Sequence, residues 1–595
     1  MDRKSITILG IAIVLLAVLF PAVDKFFPPV RVPVTATNRV AAVSNSSSAT
    51  FPVIAPQAPK KEIVPSGPPE NSITVSNSDL VFHFTSHGGG IKQIDLLEYP
   101  AIPRRSIESK APSRPASLNS GAPVPIGGIL SADGGDGDFT LVRGGNIVRA
   151  EKVLPDGLRL IKEFDFSDHY VFKSSDLGPE TNHLFTLRVR IENPSDKPIA
   201  VPSRELVVGA ATPIGPLDDP MTQGAFWYNG VKAQNIKEAW FANRTLGCFP
   251  GTPRGQYQEG AGNVAWAAPD NQFFAIAAIP QQPAPQVIID KIELPPPDTN
   301  GIASPPRYPL TNGYQVALAY PGATLAPGQS IDNAYTFYAG PKEYKVLGKL
   351  GQEMGNDLDA IMDFSGPSGF FSKGLLIAMN GLHATGLGYG WCIVAITVII
   401  KLIFWPLTAS ATRSQKRLQA LQPQMKAIAE KYKDDAAKKN EKTMEFMKQN
   451  KVNPMGSCLP TLIQIPVFFG FYYMLRSAIE LRGVHFLWAF DLSQPDTVFY
   501  MGTIPVNPLP LIMGATQFWQ MHMTPPSPGM DPAQQRIMKF MPLMFLAFFY
   551  RMSSGLTLYW TISNLLSILQ MKTTKATAEP GAPALPPAVP IRKKK

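Results

Sequence analysis

The sequence predicts a polytopic α-helical membrane protein of six spans that carries a large extracytoplasmic β-sandwich domain. Three observations carry this prediction. Apolar runs of spanning length cluster at the start and in the last third of the 595 residues. Between them, residues 71–341 show short runs with period two, the pattern of half-buried strands. The basic charge, net +10 over the whole chain, is concentrated in two segments of the last third. With 45% apolar and 17% charged residues, a disordered chain is excluded and a single-domain soluble enzyme is disfavoured. Three cysteines (Cys248, Cys392, Cys458) cannot make a disulfide framework, and 59 prolines imply long loops or linkers.

Residues 1–27 read as a membrane anchor. Arg3 and Lys4 precede an apolar run from Ile6 to Val23, which as helix reaches about 27 Å, close to the roughly 30 Å hydrocarbon core. A cleavable signal peptide would need a shorter apolar core and a small-x-small site. The run instead ends in Phe20-Pro21, so an uncleaved anchor with its N-terminus inside is expected. Residues 28–70 hold nine prolines among Ser, Ala and Val. That composition builds no core and reads as an extended tether.

Within residues 71–341, Leu80, Phe82 and Phe84 alternate with Val81, His83 and Thr85. Phe185, Leu187, Val189 and Ile191 alternate with Thr186, Arg188 and Arg190 before an Asn193-Pro194-Ser195-Asp196 turn. Strands also fit Asn271–Ile279 and Ile331–Tyr338. Regular short strands separated by Gly/Pro turns argue for a β-sandwich. The segment offers little chemistry. His83 and His87 have the spacing of a metal pair on a helix, but on this strand pattern, beside Gly88-Gly89-Gly90, a sheet edge is expected. Gly134-Gly135-Asp136-Gly137-Asp138 resembles a calcium loop in composition only. Cys248 has no second cysteine within the domain. No metal site is expected.

Over residues 342–385 the period becomes helical. Leu347, Leu350, Met354, Leu358 and Ile361 form one stripe. Two readings stand: packing against the β-domain, or an amphipathic interfacial helix leading into the membrane.

Residues 386–572 contain apolar segments at Leu387–Leu407, Cys458–Leu475, Leu509–Met521, Ile537–Met552 and Leu556–Met571. Gly555 leaves almost no loop between the last two, implying a tight helical hairpin. Residues 409–453 carry 11 Lys/Arg against 5 Asp/Glu, and residues 571–595 carry 6 against 1. Because Lys and Arg are retained inside, both segments are placed in the cytoplasm, with the β-domain and residues about 24–385 outside. Six spans with both termini inside satisfy this. Within 409–453, Leu418, Leu421, Met425, Ile428 and Tyr432 form a narrow seam. A turn at Lys433-Asp434-Asp435 then leads to a second helix through Met444 and Met447. The basic face of this hairpin is either simply solvated or a docking arm for ribosomal RNA or anionic lipid headgroups. The tail 573–595 is open to the same two readings.

Lys401 is the ionisable side chain well inside Leu387–Leu407. A charge near the bilayer centre costs about 2.5–3.5 kcal/mol on insertion scales. Lys401 therefore either snorkels toward the headgroups or faces protein and water. Thr397 lies one turn earlier on the same face, and Pro406 frees the carbonyl of Leu402. Other spans contribute Gln464, Thr516, Gln517, Ser563 and Asn564, but no acid. A lone cation among neutral polar groups points to a hydrated cavity. Arg551, near a span end, reads as an interface anchor.

These segments resemble the YidC/Oxa/Alb family of membrane protein insertases. The resemblance runs through Ile396–Ser410 (ITVIIKLIFWPLTAS), Leu418–Met425 (LQALQPQM), Lys451–Arg482 (KVNPMGSCLPTLIQIPVFFGFYYMLRSAIELR) and Asp531–Gln570, which contains DPAQQRIMKFMP and SSGLTLYWTISNLLSILQ. The anchor and β-domain resemble the Gram-negative YidC architecture, whose periplasmic domain is a β-supersandwich, best along ITVSNSDLVFHFTSHGGGIKQIDL. The resemblance implies that the last five spans form an insertase core around a hydrophilic groove open to the cytoplasm and to lipid. Lys401 matches the groove's basic position, where the family more often has arginine, a planar fork instead of a point charge. Thr397 and Gln464 match groove positions. Tyr559 and Trp560 match an aromatic pair that is often two tyrosines, and Asn564 is grouped with them as a polar residue of the same span. Phe548 matches an apolar position along which the client slides.

The implied function is a membrane protein insertase and folding chaperone of the cell inner membrane. Its partners would be nascent membrane proteins, the Sec translocon, the ribosome (through the basic hairpin and tail) and anionic lipids. No cofactor and no small-molecule substrate are implied, and no segment resembles a nucleotide-binding loop. A secondary transporter would show internal repeats and a midplane coupling site, a sensor would need a cytoplasmic output domain, and an enzyme would need a catalytic constellation. The seven histidines are scattered.

Overall fold

The computed structural model describes residues 69–103, 114–131, 137–167, 182–244, 251–296, 310–364, 368–432, 435–450, 459–502, 504–523 and 532–574. The anchor 1–27, nearly all of the linker, Cys248, Cys458, Lys433-Asp434 and residues 575–595 of the tail lie outside the described residues. The chain divides into two compact units, one β-rich (32–363 with 477–480) and one helical.

In the β-rich unit, nine antiparallel strands form the largest sheet. Their spatial order is Ala233–Lys237, Gly224–Tyr228, Trp266–Asp270, Phe274–Pro280, Ser330–Pro341, Leu184–Glu192, Arg159–Asp165, Ile147–Val153, Thr140–Gly144. A five-stranded sheet runs Gln256–Glu259, Gln286–Glu293, Asn312–Tyr320, Arg204–Ala211, Ile129–Ser131, and a four-stranded one runs from Ser72–Ser76 through Leu80–Thr85 and Gly90–Pro100 to Pro115–Leu118. All three feed one continuous apolar core. Period two explains why. Leu80, Phe82 and Phe84 point inward together, as do Phe185, Leu187, Val189 and Ile191. Phe82 meets Phe185 edge-on at 5.5 Å between ring centroids, and Phe185 stacks on Phe337 at 5.0 Å, geometries that add to area burial.

Two details depart from the sequence reading. The strand expected from Asn271 begins at Phe274. Asn271 Oδ1 accepts the backbone N–H of Phe273 (3.1 Å) and Phe274 (2.9 Å), so its side chain makes the turn that ends the preceding strand. The stripe from Leu347 to Ile361 is two elements. Helix α1 (Tyr344–Met354) stops at Gly355, left-handed at φ 61°, and a short 3₁₀ turn covers Leu358–Met362. Leu347, Leu350, Leu358 and Ile361 are buried within the β-rich unit. Trp266 Nε1 donates to Asn356 O (2.7 Å) and Tyr228 Oη to Asp357 Oδ2 (3.1 Å). The stripe faces protein, so over 344–362 the interfacial reading of the lead-in gives way to packing.

The helical unit contains α2 (Gly369–His383), α3 (Tyr389–Ala420), α4 (Gln422–Lys431), α5 (Ala436–Gln449), α6 (Leu459–Ser477), α7 (Pro508–His522), α8 (Pro532–Phe549) and α9 (Ser554–Thr573). Among the described residues, α3 is the helix long and apolar enough to cross a membrane by length and composition, and Phe540–Phe549 is a shorter apolar stretch. The last helix packs against both α3 and α7. In the basic hairpin, Leu418, Leu421 and Met425 pack with Met447 and Phe446. Ile428 and Tyr432, also expected in the seam, are only half-buried, and Met444 of the second helix is exposed. The covered face of α5 carries Thr443 and Met447, four residues apart, and Met444 lies to the side of it.

Candidate functional site

The polar side chains of the helical unit converge on α9. Lys401 Nζ donates to Ser567 Oγ at 2.9 Å. The Ser567 hydroxyl in turn donates to Ser563 O one turn earlier (2.9 Å), and Ser563 Oγ accepts from Gln464 Nε2 (3.1 Å). Lys401 and Gln464, on α3 and α6, are thus joined through two serines of α9. A second set lies between α7 and α9: Asn564 Nδ2 donates to Thr516 Oγ1 (3.3 Å) and Trp560 Nε1 to Gln517 Oε1 (3.2 Å). A third closes one turn beyond Ser567, where Gln570 Nε2 reaches Thr408 Oγ1 (2.7 Å) and Trp405 O (3.1 Å), beside Pro406. Among the described residues no carboxylate pairs with Lys401. The cation is held by neutral groups only, an arrangement that leaves it free to meet an anion.

Thr397 stands apart from this ladder. It is buried, and its hydroxyl donates to Ile393 O of its own helix (2.6 Å), so only its oxygen lone pairs face elsewhere. Tyr559 is buried and stacks on Phe471 with centroids 4.0 Å apart. Its neighbour Trp560 packs among Phe468, Phe545 and Phe549. The two aromatics therefore occupy different faces of α9, Tyr559 against Phe471 of α6 and Trp560 in the cluster that also includes α8. Phe548 joins none of the polar groups. It is exposed, as are Phe540, Leu543 and Met544 on the same helix, a spacing that lays one apolar stripe along α8.

Sequence reasoning named Ser563 and Gln517 only as polar residues of the spans, and did not name Ser567 or Gln570. The signal was present: Ser563, Ser567 and Gln570 recur at helical spacing and give α9 one polar face.

At the opposite end, the loop from Ala478 to Asn507 ties the helices together. Ser554 N donates to Gln494 O (2.7 Å), Gly555 N to Leu492 O (2.9 Å) and Ser554 Oγ to Asp491 O (2.9 Å), which satisfies the first N–H groups of α9. Asp496 Oδ2 accepts Leu509 N (2.6 Å) and Trp488 Nε1 (2.9 Å), capping α7 from a distance. Burial pushes the Asp491 and Asp496 carboxyls above their ordinary range. Among the described residues no cluster of three or more His, Cys, Asp or Glu side chains has the placement to hold a metal ion. His83 is paired instead with Asp95 at 2.9 Å.

Residues 72–377 match the family model of the YidC periplasmic domain, and residues 381–580 that of the 60Kd inner membrane protein. The membrane protein insertase YidC of Nitratidesulfovibrio vulgaris (strain DP4) is 32% identical over 567 residues, covering 91% of this chain and 93% of that protein. That of Syntrophus aciditrophicus (strain SB) is 38% identical over 309 residues, 52% of this chain and 51% of that one. A solved structure, of an active YidC insertase with the first transmembrane domain resolved, is similar with a TM-score of 0.34 and 16% identity, covering 86% of this chain and 94% of that one.

Proposed function

Since the chain belongs to the YidC family of membrane protein insertases, we propose that it inserts hydrophobic segments of nascent membrane proteins through a polar groove lined by α3, α6, α7 and α9. The observation that carries this is the Lys401 ammonium, turned toward α9 and held by Ser567 with no acid beside it among the described residues. Such a cation attracts the acidic, translocated segment of a client, whereas a salt-bridged lysine would have no charge to offer. Gln464, Ser563, Asn564 and Thr516 add donors and acceptors that hydrate the same path. The client's apolar segment moves along the exposed stripe Phe540, Leu543, Met544 and Phe548 into lipid.

The groove works by lowering a barrier. Polar groups and one positive charge partway across shorten the hydrocarbon that a client loop must cross. The membrane potential contributes about 2.3 kcal/mol per charge per 100 mV and favours outward movement of acidic segments, so the reaction needs no ATP hydrolysis by this chain. In this reading α3 and α6–α9 are five spans and the N-terminal anchor a sixth, with both termini in the cytoplasm. The tied loop 478–507 closes the groove on the periplasmic side. The basic hairpin α4–α5 faces the ribosome or anionic headgroups, and the Sec translocon is a second partner.

The test is insertion of a small client with an acidic translocated segment into vesicles containing wild type, Lys401→Arg or Lys401→Ala at matched amounts, read by protease protection. Loss with alanine and recovery with arginine support a groove acting through charge. Equal insertion by all three sinks that role for Lys401.

A further inference from the structure

The loop between α6 and α7 carries an apolar hairpin that the groove does not use. Strands Phe499–Met501 and Ile504–Val506 pair with Met501 opposite Ile504 and Phe499 opposite Val506. Cross-strand partners and alternate residues share a face, so Phe499, Met501, Ile504 and Val506 form one apolar surface. Its members are open: Phe499 is 53% exposed, Met501 66% and Ile504 58%. The other face is fastened to the bundle. Tyr550 Oη donates to Pro505 O (2.5 Å), and Asn507 Nδ2 donates to Tyr550 O (2.7 Å). The apolar face is therefore held outward, not collapsed onto the protein.

We propose that this hairpin is an interfacial anchor that inserts its Phe499/Met501/Ile504 face into the outer headgroup and acyl boundary of the bilayer. Three features point to lipid as the occupant. The first is continuity with the membrane-facing surface. The second strand ends at Val506 and α7 begins at Pro508, so the hairpin sits at the depth of the end of that helix. The second is length. The 15 residues of α7 rise about 22 Å, roughly 8 Å short of the hydrocarbon thickness. A span that short draws its flanking residues below the usual boundary. The third is charge: from Thr497 to Met521 the sequence has no Asp, Glu, Lys, Arg or His. The aromatic surroundings agree with an interface. Trp391, at the outer end of α3, is exposed and meets Phe486 edge-on at 5.3 Å, and Leu487 and Trp488 of the same loop are also exposed. Tryptophan concentrates at that depth. A two-stranded hairpin is marginal in water, and submersion of one face supplies the burial it lacks.

The inference rests on α7 spanning the bilayer together with α8, against which it packs, and the experiment separates the two. Nitroxide labels are placed by Met501→Cys and Ile504→Cys, in full-length chain with Cys248, Cys392 and Cys458 replaced by alanine. The chain is reconstituted in phosphatidylethanolamine/phosphatidylglycerol vesicles. Label accessibility to oxygen and to a water-soluble nickel chelate reports depth. Val231→Cys, 85% exposed in the β-rich unit, and Met544→Cys, 62% exposed on α8, serve as references. The expected oxygen-to-nickel ratio at 501 and 504 lies several-fold above that at 231. A ratio equal to that at 231 overturns the anchor, as does exclusion of both reagents, which would mean a protein partner. If the 544 label is aqueous too, the spanning assignment itself has failed. The unmodified chain gives an independent reading. Vesicles doped with a lipid bearing a diazirine on its acyl chain should yield adducts within 499–506, and adducts on 540–548 alone overturn the proposal.

Discussion

Lys401 Nζ and Ser567 Oγ, 166 residues apart in sequence, are 2.9 Å apart in space. The bond fixes where the charge of α3 points, and its acceptor is neutral. An amine half-withdrawn from solvent gains more from one hydroxyl than an exposed one would, because the lost hydration has to be replaced. Ser567→Ala is therefore expected to lower stability by about 1–2 kcal/mol in detergent-solubilised protein. In Lys401→Met the same serine substitution should cost little. The double-mutant cycle then gives a coupling near 1 kcal/mol. Additive losses would mean that the two side chains do not interact.

Asp270 carries a comparable weight in the β-rich unit. Its carboxylate is fully buried between Lys237 Nζ (2.5 Å) and Lys342 Nζ (3.0 Å), and burial draws the Lys237 amine down to about 8. Asp270→Asn removes the carboxylate that both ammonium groups contact and leaves Asp363 as their remaining counter-charge, a change that typically costs at most about 3–5 kcal/mol. Lys237→Met removes one cation while Lys342 remains on Asp270, and should cost about 1 kcal/mol by the same reasoning. Hydrogen-exchange protection of Trp266–Asp270 in the full chain checks the ranking. Equal losses in the two variants would show that the carboxylate is not the centre of the cluster.

What the sequence made legible was whatever repeats. Period two marked Leu80–Thr85 and Leu184–Glu192, and apolar run length marked α6–α9 with ends displaced by a few residues and the start of α3, which continues well past the expected end at Leu407 to Ala420. The lone cation was visible because Lys401 interrupts a run. Its partner was not, because a serine in an apolar helix is unremarkable until its register with Ser563 and Gln570 is drawn. The stripe Leu347–Ile361 left packing and an interfacial helix both open for another reason: a continuous spacing does not show that Gly355 breaks the helix, nor which surface covers the stripe. The hairpin at Phe499–Val506 escaped because six residues around a glycine are too few for a period to emerge.

Asp496 makes the tied loop pH-sensitive with a definite sign. Its folded pKa is raised by burial above the ordinary value of about 3.9. Between the unfolded and folded values the native state binds more protons, so stability falls as pH rises through that window. The penalty is absent below the unfolded pKa and complete above the folded one. Relative to Asp496→Asn, wild type should gain Tm as the pH is lowered from neutral toward the unfolded carboxylate value of about 3.9. A Tm difference between the two that stays constant over this range would show that Asp496 is not protonated on acidification.

Gly470 sets the distance between α2 and α6. A Cβ there would lie 2.6 Å from Phe371 Cβ, a separation that real side chains do not tolerate, and Ser372 Oγ donates to Gly470 O across the same contact at 3.0 Å. The obstacle is the root of a side chain, which cannot swing away without moving its helix. Gly470→Ala should therefore push the helices apart, lose the serine bond and cost about 1–3 kcal/mol by overpacking. Gly381→Ala, on α2 with open space around the new methyl, supplies the opposite case. There the gain in helix propensity, up to about 1 kcal/mol, is unopposed. Thermal unfolding of the two variants in one detergent should move Tm in opposite directions. If both rise, the two helices are not in contact at Gly470, and the polar groups that α6 presents to α9 are held by α9 alone.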